Sequence, residues 1–275
     1  MRLNDKKYAI VYANDFGTWQ MCSMSIESAR HFCPGIDVFV LSYGEPDRES
    51  ARLCRRLNAE CVDISRLFDE KFPFFKRHGK DYHVLSNGAR YPKITFARFL
   101  VPYIDALKRY EKVLYLDDDT VACQSLDGIF LSDSSKWITV GFDGQSPRQR
   151  VCGLMYWNIH RYDYWKMLKH YACAGVLMFD MKARPLREYD EFIGRIRVGQ
   201  ERIIAWRKEF LTCQDMLNLY CDFQLTRGKK VAAKRWPISE DTCVYHYYGI
   251  KRKENLKRLL SDTLSRANKD ASWIN

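Results

Sequence analysis

Three consecutive aspartates follow an apolar run in this sequence. The run VLYL at residues 113–116 leads directly into Asp117, Asp118 and Asp119. Adjacent carboxylates repel one another and resist burial unless a positive charge lies against them. Because divalent cations bind hard oxygen ligands, Asp117 and Asp119 on either side of Asp118 predict a metal site. A solvated acidic turn is the alternative, and the stretch alone leaves both open.

The same stretch fits a second chemistry. A strand that ends in D-x-D-x-[TV] resembles the nucleophile motif of haloacid dehalogenase-like phosphatases, in which Asp117 would attack phosphate. That motif is expected near the N-terminus, whereas here it lies beyond residue 110. The phosphatase therefore remains a remote alternative.

A histidine, a glycine and a group of cations lie close together near the C-terminus. The run VYHYYGIKRKE at residues 244–254 contains His246, Gly249, Lys251 and Arg252. An imidazole, an exposed backbone and cations suit a metal-bound pyrophosphate. The alternative is a half-buried histidine beside a solvated basic helix start.

The elements that must position these residues alternate between strand and helix. YAIVYA (8–13), IDVFVLSYG (36–44), AECVDIS (59–65) and EKVLYLD (111–117) predict strands, with helical patterns between them. This alternation is typical of an α/β fold, in which ligands bind at the carboxyl ends of the strands. The triple aspartate lies at such an end.

Two stretches interrupt this periodicity, and both are rich in aromatic residues. Residues 68–93 predict a long loop or short helices, and residues 145–171 are irregular. Their aromatic side chains suit either stacking on sugar rings or packing in the core. They are Phe72, Phe74, Phe75, Tyr156, Trp157, Tyr162, Tyr164 and Trp165.

Composition narrows the class of protein but selects no partner. The 275 residues carry a formal charge of +11, which suits nucleic acid, anionic lipid or phosphorylated ligands equally. The ten cysteines include no C-x-x-C pair, which predicts reduced thiols in a cytosol. The first apolar run is too short for a signal peptide, so we expect a cytoplasmic protein without a membrane span.

Six motifs together resemble one enzyme family. ANDF, YPKITFARFLVPYI, VLYLDDDTVACQSL, YACAGVLMFDMK, QDMLNLY and HYYGIKRK are similar, in sequence and order, to glycosyltransferase family 8. That family includes bacterial galactosyl- and glucosyltransferases of lipopolysaccharide biosynthesis. The resemblance implies a GT-A fold, a Rossmann-like mixed sheet flanked by helices, over residues 1–250, followed by a basic amphipathic C-terminal helix in a tail at 251–275.

The activity implied by the resemblance is transfer of a hexose from a UDP-sugar, UDP-galactose or UDP-glucose, to a saccharide or lipid-linked glycan. It implies retention of anomeric configuration and dependence on Mn2+, with Mg2+ as the other candidate ion. The implied metal ligands are Asp117, Asp119 and His246. The implied nucleotide-sugar contacts are Ala13, Asn14, Asp15, Arg98, Asp117, Asp118, Cys173, Ala174, Gly175, Gln214, Gly249, Lys251 and Arg252. The implied catalytic residues are Gln214, Asp143 and Arg98.

Two departures from the family pattern affect the donor pocket. Cys173 replaces the usual asparagine of N-A-G-V-L, and Cys213 replaces the first aspartate of D-Q-D. Because a thiol is a weak hydrogen-bonding partner, a sugar-nucleotide-binding protein with weakened catalysis is the alternative function. Gln214 is a poor nucleophile, so we expect a front-face mechanism rather than a double displacement.

The C-terminal tail has the pattern of an amphipathic helix. Leu256, Leu259, Leu260 and Leu264 recur in helical phase opposite basic residues. Such a helix either lies on anionic lipid at the inner face of the membrane or packs on the domain. No RNA- or DNA-binding module accompanies the charge, so nucleic acid is not an expected partner.

Overall fold

The computed structural model describes the parts of the chain that build the sheet and the candidate site. These parts are residues 7–15, 19–79, 81–84, 90–131, 138–142, 172–182, 186–207, 212–220, 224–225, 243–246, 257–258, 260–263 and 265.

Strands and helices alternate through the first third of the chain, as the sequence predicts. The strands are β1 (Tyr8–Ala13), β2 (Asp37–Ser42), β3 (Ala59–Asp63), β4 (Tyr82–Val84), β5 (Arg90–Pro92), β6 (Lys112–Leu116), β7 (Thr120–Ala122), β8 (Ile138–Phe142), β9 (Ala172–Asp180), β10 (Gln224–Leu225) and β11 (Val244–His246). The α-helices are α1 (Trp19–Phe32), α2 (Arg48–Arg56), α3 (Ser65–Lys71), α4 (Pro73–Arg77), α5 (Asp127–Phe130), α6 (Leu186–Arg207) and α7 (Cys213–Tyr220).

The main sheet is mixed, which confirms the predicted α/β class. Within the described residues its order is β10-β8-β9-β6-β1-β2-β3. Strands β6, β1, β2 and β3 run parallel, and β9 runs antiparallel to both β6 and β8. The parallel strands place the ends of β1 and β6 at one edge of the sheet, where a ligand is expected.

The core covers both faces of this sheet. Ala9, Val11 and Ala13 of β1 belong to one buried cluster, whereas its alternate residues Ile10 and Tyr12 belong to the other. A strand that is buried on both faces has a continuous apolar sequence, which explains the run YAIVYA. The central strands are thereby fixed from both sides.

The aromatic stretch at 68–93 contributes to the core. It forms the short helices α3 and α4, and Phe72, Phe74 and Phe75 are at most 1% exposed within the first buried cluster. The interpretation of these three residues as sugar-stacking surface is therefore wrong. The other aromatic residues proposed for that role, at 156–165, lie outside the described residues.

Two further expectations differ from the structure. One of the helical patterns between the predicted strands, KITFARFLVPYIDAL, forms a 3₁₀ helix at Lys93–Tyr103 rather than an α-helix, followed by a shorter 3₁₀ helix at Asp105–Leu107. Pro102 lies in its last turn and has no N–H to donate to a helical hydrogen bond. Cys54 of α2 and Cys61 of β3 form a disulfide, so the expectation of reduced thiols is wrong for this pair.

Part of the predicted tail lies on the domain. Residues 257–258 and 260–263 are helical, and Leu260 is buried in a small cluster with Met21, Met24, Val121 and Tyr245. Within the described parts of the chain, no helix is long and apolar enough to cross a bilayer.

Candidate metal centre

A short two-stranded ribbon brings the histidine to the aspartates. Strand β6 ends at Leu116, and the chain turns through the aspartates into β7. The turn is closed by Thr120, whose N–H and hydroxyl both donate to the carbonyl of Asp117. Strand β11 pairs antiparallel with β7, with His246 opposite Thr120. His246 therefore lies beside Asp119, although the two are 127 positions apart along the chain.

Two carboxylates and one imidazole converge at this point. His246 Nε2 lies 2.9 Å from Asp119 Oδ1 and 3.5 Å from Asp117 Oδ2. Ligand atoms from the three residues all lie within 4.8 Å of one another. Asp119 and His246 are buried, and Asp117 is partly exposed. The predicted Asp117, Asp119 and His246 thus form a compact group of metal-ligand types, open to solvent on the side of Asp117.

The two oxygens of Asp117 have different surroundings. Oδ1 accepts hydrogen bonds from Arg98 and from the hydroxyl of Tyr115, both at 2.8 Å. Oδ2 is the oxygen that faces His246. Arg98 and Tyr115 therefore hold the carboxylate so that Oδ2 points toward the group of ligand atoms.

Arg98 is a buried side chain that links three segments. Its guanidinium donates to Asp117, to the carbonyl of Ala174 in β9 and to the carbonyl of Thr95. Burial lowers the pKa of Arg98, but the charge of Asp117 outweighs it and the pKa is raised. Arg98 is 3% exposed and contacts Asp117, so its predicted place beside the donor stays a prediction.

Tyr115 is a residue of this site that sequence reasoning missed. Burial raises the pKa of its hydroxyl well above the ordinary tyrosine value, so the hydroxyl stays protonated and donates to Asp117. A signal was present in the sequence, since residues i and i+2 of an extended strand project to the same face. A tyrosine two positions before Asp117 is therefore well placed to contact it.

The β9 residues predicted to contact the donor lie against the ligand group. A Cβ at Gly175 would stand 2.6 Å from His246 Nδ1 and 2.7 Å from Asp117 Oδ2, far closer than side chains tolerate. The absence of a side chain at Gly175 thus keeps space between these two residues. With two hard carboxylates and one imidazole around that space, the residues fit a divalent cation such as Mn2+.

Cys173 turns toward the histidine. Its Sγ lies 3.0 Å from His246 Nδ1, and both side chains are buried. Burial lowers the pKa of His246, but the neighbouring Cys173 and Asp119 side chains outweigh it and hold that pKa well above the ordinary value.

The end of β1 supports the middle aspartate. Asn14 is 1% exposed, and its side-chain amide donates to Asp118 Oδ2 at 3.4 Å. Its backbone N–H donates to the carbonyl of Leu41 in β2. Ala13 is buried and Asp15 is exposed. The predicted nucleotide-binding segment, Ala13 to Asp15, thus lies at the same edge of the sheet as the aspartates.

The start of α7 brings Cys213 and Gln214, both singled out in the sequence, to this region. Thr212 caps the helix, accepting from the backbone N–H of Asp215 and donating to its carboxylate at 2.7 Å. Gln214 is 8% exposed. Burial raises the pKa of the Cys213 thiol, and the nearby charge of Arg98 opposes that rise. Cys213 and Cys173 therefore both lie in the electrostatic environment of Arg98.

Four predicted site residues lie outside the described residues. They are Asp143, Gly249, Lys251 and Arg252. Strand β8 ends at Phe142, immediately before Asp143, and strand β11 ends at His246, three residues before Gly249.

A mixed α/β sheet with an Asp-Asp-His group at the carboxyl edge is the arrangement expected of a GT-A-type glycosyltransferase. The chain belongs to glycosyl transferase family 8, whose model matches residues 9–251. This membership confirms the resemblance and decides against the phosphatase interpretation of Asp117. No curated protein sequence matches the chain significantly.

Solved structures show the same fold. The galactosyltransferase LgtC in complex with donor and acceptor sugar analogs is 19% identical, with a TM-score of 0.58, over 92% of this chain and 95% of that one. The glycosyltransferase GlyE of Streptococcus pneumoniae is 15% identical, with a TM-score of 0.56, over 98% of this chain and 64% of that one. Mouse xyloside xylosyltransferase 1 is 14% identical, with a TM-score of 0.53, over 77% of this chain and 80% of that one.

Proposed function

We propose that this glycosyltransferase moves a hexose from a UDP-sugar to a saccharide or glycoconjugate acceptor, with Mn2+ and with retention of configuration. The observation that carries the proposal is the group of Asp117, Asp119 and His246 at the carboxyl edge of the sheet. Family membership supports the reaction class. The bound donor and acceptor analogs in the LgtC structure support a two-substrate sugar transfer.

The ligand residues are organised to hold a cation beside a diphosphate. Asp117 Oδ2, a carboxylate oxygen of Asp119 and His246 Nε2 would be the protein ligands. When bound, the cation would act as a Lewis acid that neutralises charge developing on the leaving diphosphate. Arg98 and Tyr115 orient Asp117 for this role, because they occupy its other oxygen.

The nucleotide would extend from this centre along the carboxyl edge. Ala13 ends β1, and Ala13, Asn14 and Asp15 would contact the base and ribose, with Asn14 also holding Asp118. Lys251 and Arg252, which follow Gly249, would pair with phosphate oxygens in the manner of charge-assisted hydrogen bonds.

The transfer step would follow a front-face route. The acceptor hydroxyl oxygen forms a bond to the anomeric carbon on the face from which the diphosphate leaves. The bond between that carbon and the diphosphate breaks, and its electron pair stays on the phosphate oxygen, which then takes the proton of the acceptor hydroxyl. Gln214 would lie beside the sugar, and because an amide is a poor nucleophile it would form no covalent intermediate. By the resemblance, Asp143 would face the sugars.

Release of UDP without an added acceptor tests this function. Purified protein is incubated with a panel of UDP-sugars, with and without Mn2+, and free UDP is measured. We expect slow release from one UDP-hexose that requires Mn2+ and falls at least about 100-fold in Asp119→Ala and His246→Ala, because each change removes a metal ligand. His78→Ala is the matched control, since it removes a half-buried imidazole that pairs with Glu201 instead.

Two other results would contradict the proposal. Binding of UDP without release from any sugar would favour the binding-protein alternative, for which the Cys173 and Cys213 departures are the reason. Release that is independent of Mn2+ and unchanged in His246→Ala would exclude the metal centre from the reaction.

A further inference from the structure

One face of β9 supports the edge of the His246 ring. Cys173 and Gly175 are two residues apart in this strand, and both lie against His246. Gly175 lies against the ring at Cε1 and Nδ1, and Cys173 Sγ lies 3.0 Å from Nδ1. The imidazole thus has a backbone surface and a sulfur atom on one side, and the carboxylates on the other.

The sulfur of Cys173 is placed as a hydrogen-bond acceptor. The backbone N–H of Gly175 donates to it at 3.4 Å, and Nδ1 of His246 is its second neighbour. With Nδ1–H donating to the sulfur, Nε2 is the nitrogen that faces Asp119 and Asp117. A histidine that binds a metal through one ring nitrogen generally donates the N–H of the other, and that hydrogen bond fixes its tautomer and orientation.

We propose that Cys173 is a positioning residue, whose sulfur accepts the Nδ1 hydrogen bond of His246 and so holds Nε2 toward the metal site. This role rests on the metal centre of the proposed function. It also assigns a use to the thiol at 173 other than contact with the donor sugar. A side chain of similar size that accepts no hydrogen bond would leave the ring without its partner.

Metal affinity measured without nucleotide tests the role apart from catalysis. Mn2+ binding is followed by electron paramagnetic resonance of the free ion in wild type, Cys173→Ala, Cys173→Ser and Cys33→Ala. We expect Cys173→Ala to weaken Mn2+ binding about 10- to 100-fold, as is usual when the partner of a metal-binding histidine is lost. Cys173→Ser should recover most of the affinity, because its hydroxyl still accepts a hydrogen bond.

Cys33→Ala is the matched control, since it removes another buried thiol that lies outside the site. Its Mn2+ affinity should equal that of wild type, and the metal-free melting temperatures of Cys173→Ser and wild type should agree. Equal Mn2+ affinity in wild type and Cys173→Ala would overturn the role of Cys173 while leaving the metal centre intact. Failure of wild type itself to bind Mn2+ would contradict the proposed function, and the role of Cys173 with it.

A spectroscopic measurement on wild type decides the question if Cys173→Ala does not fold. Nitrogen-15 NMR of the His246 ring, assigned with His246→Gln, reports which nitrogen carries a proton when Mg2+ is bound. A protonated Nδ1 supports the proposed hydrogen bond to Cys173. An unprotonated Nδ1 with a protonated Nε2 would overturn it.

Discussion

At the scale of single residues, the candidate metal site depends on a position that has no side chain. Gly175 lies against both His246 and Asp117, and a Cβ there would stand 2.7 Å from Asp117 Oδ2. Around this position Arg98 and Tyr115 fix one oxygen of Asp117, and Cys173 contacts the far side of His246. Asp117 and His246 are therefore each oriented by a second residue, as is usual for metal ligands.

The substitution Gly175→Ala should damage this site without unfolding the protein. The added methyl group forces His246 and Asp117 apart, and overpacking of this kind costs about 1–3 kcal/mol. We expect Mn2+ affinity and UDP release to fall at least about tenfold, because both ligands must move. The measurements are Mn2+ titration and UDP release at matched protein concentration.

Gly194→Ala provides the control for this substitution. Gly194 lies in α6, and a Cβ there would meet nothing within 4 Å. Alanine is favoured over glycine in a helix, so this variant should be slightly more stable and fully active. Activity in Gly175→Ala equal to that in Gly194→Ala would show that the site tolerates the methyl group.

At the scale of elements, two small structures carry the residues that the main sheet alone would not bring together. The ribbon of β7 and β11 brings His246 to the aspartates. The N-terminus of α7 places Gln214 and Asp215, with Thr212 as its cap. The core strands position the edge, and these two elements complete the site.

Removal of the α7 cap should reduce activity by more than the accompanying loss of folding stability accounts for. Thr212→Ala removes the side-chain partner of both the N–H and the carboxylate of Asp215, at a cost of about 1 kcal/mol. Because Gln214 and Asp215 lie in the first turn, we expect UDP release to fall several-fold. Thermal unfolding and UDP release, measured on the same samples, separate the two effects.

Asp47→Ala is the matched cap variant. Asp47 caps α2, where its carboxylate accepts from the N–H of Ser50 at 2.8 Å. This variant should also lose stability, but its UDP release per folded molecule should equal that of wild type. If both cap variants lose activity only in proportion to their stability, α7 has no special role in the site.

Some of these elements are readable from the sequence for physical reasons. The continuous apolar runs of β1 and β6 predict buried strands, because both faces of each lie in the core. The direction of β9 cannot be predicted from the sequence, because an apolar run is equally compatible with a parallel and an antiparallel strand. The β7–β11 pairing joins three-residue strands far apart in the chain, and no local pattern specifies it.

The features of the site also divide into those that the sequence predicts and those that it does not. The spacing of Asp117 and Asp119 predicts a metal site, the resemblance adds His246 as a ligand, and the structure brings the three together. The contact between Cys173 and His246 and the burial of Arg98 depend on tertiary packing, which residue types alone do not reveal. Tyr115 was predictable from the two-residue period of a strand, whereas the donor contacts at Gly249, Lys251 and Arg252 stay predictions.

At the scale of the whole molecule, the C-terminal tail belongs at least partly to the folded domain. Leu260 is 8% exposed and packs with Met21, Met24, Val121 and Tyr245, beside the ribbon that carries His246. This contact favours packing on the domain for that residue. A membrane role of the basic residues in the tail stays a prediction, and deletion of the whole tail would not test it cleanly because the deletion also removes Leu260.

The substitution Leu260→Ala should therefore destabilise the protein. Removing a largely buried leucine side chain costs about 2–3 kcal/mol, from lost burial and the cavity left behind. Leu186→Ala is the control, since Leu186 is 45% exposed and its loss should change stability little. Chemical denaturation of both variants measures the difference, and equal stability of the two would mean that the tail does not contribute to the domain.

The central claim, that Asp117, Asp119 and His246 bind the cation that holds the diphosphate, is tested most directly by the coupling between Mn2+ and UDP. Calorimetry measures UDP affinity with and without Mn2+ in wild type and in Asp119→Asn, which keeps the size of the side chain but removes its charge. We predict that Mn2+ strengthens UDP binding at least about tenfold in wild type, a coupling of about 1.4 kcal/mol, and has little effect in the variant. Equal coupling in the two proteins, or none in wild type, would contradict the account.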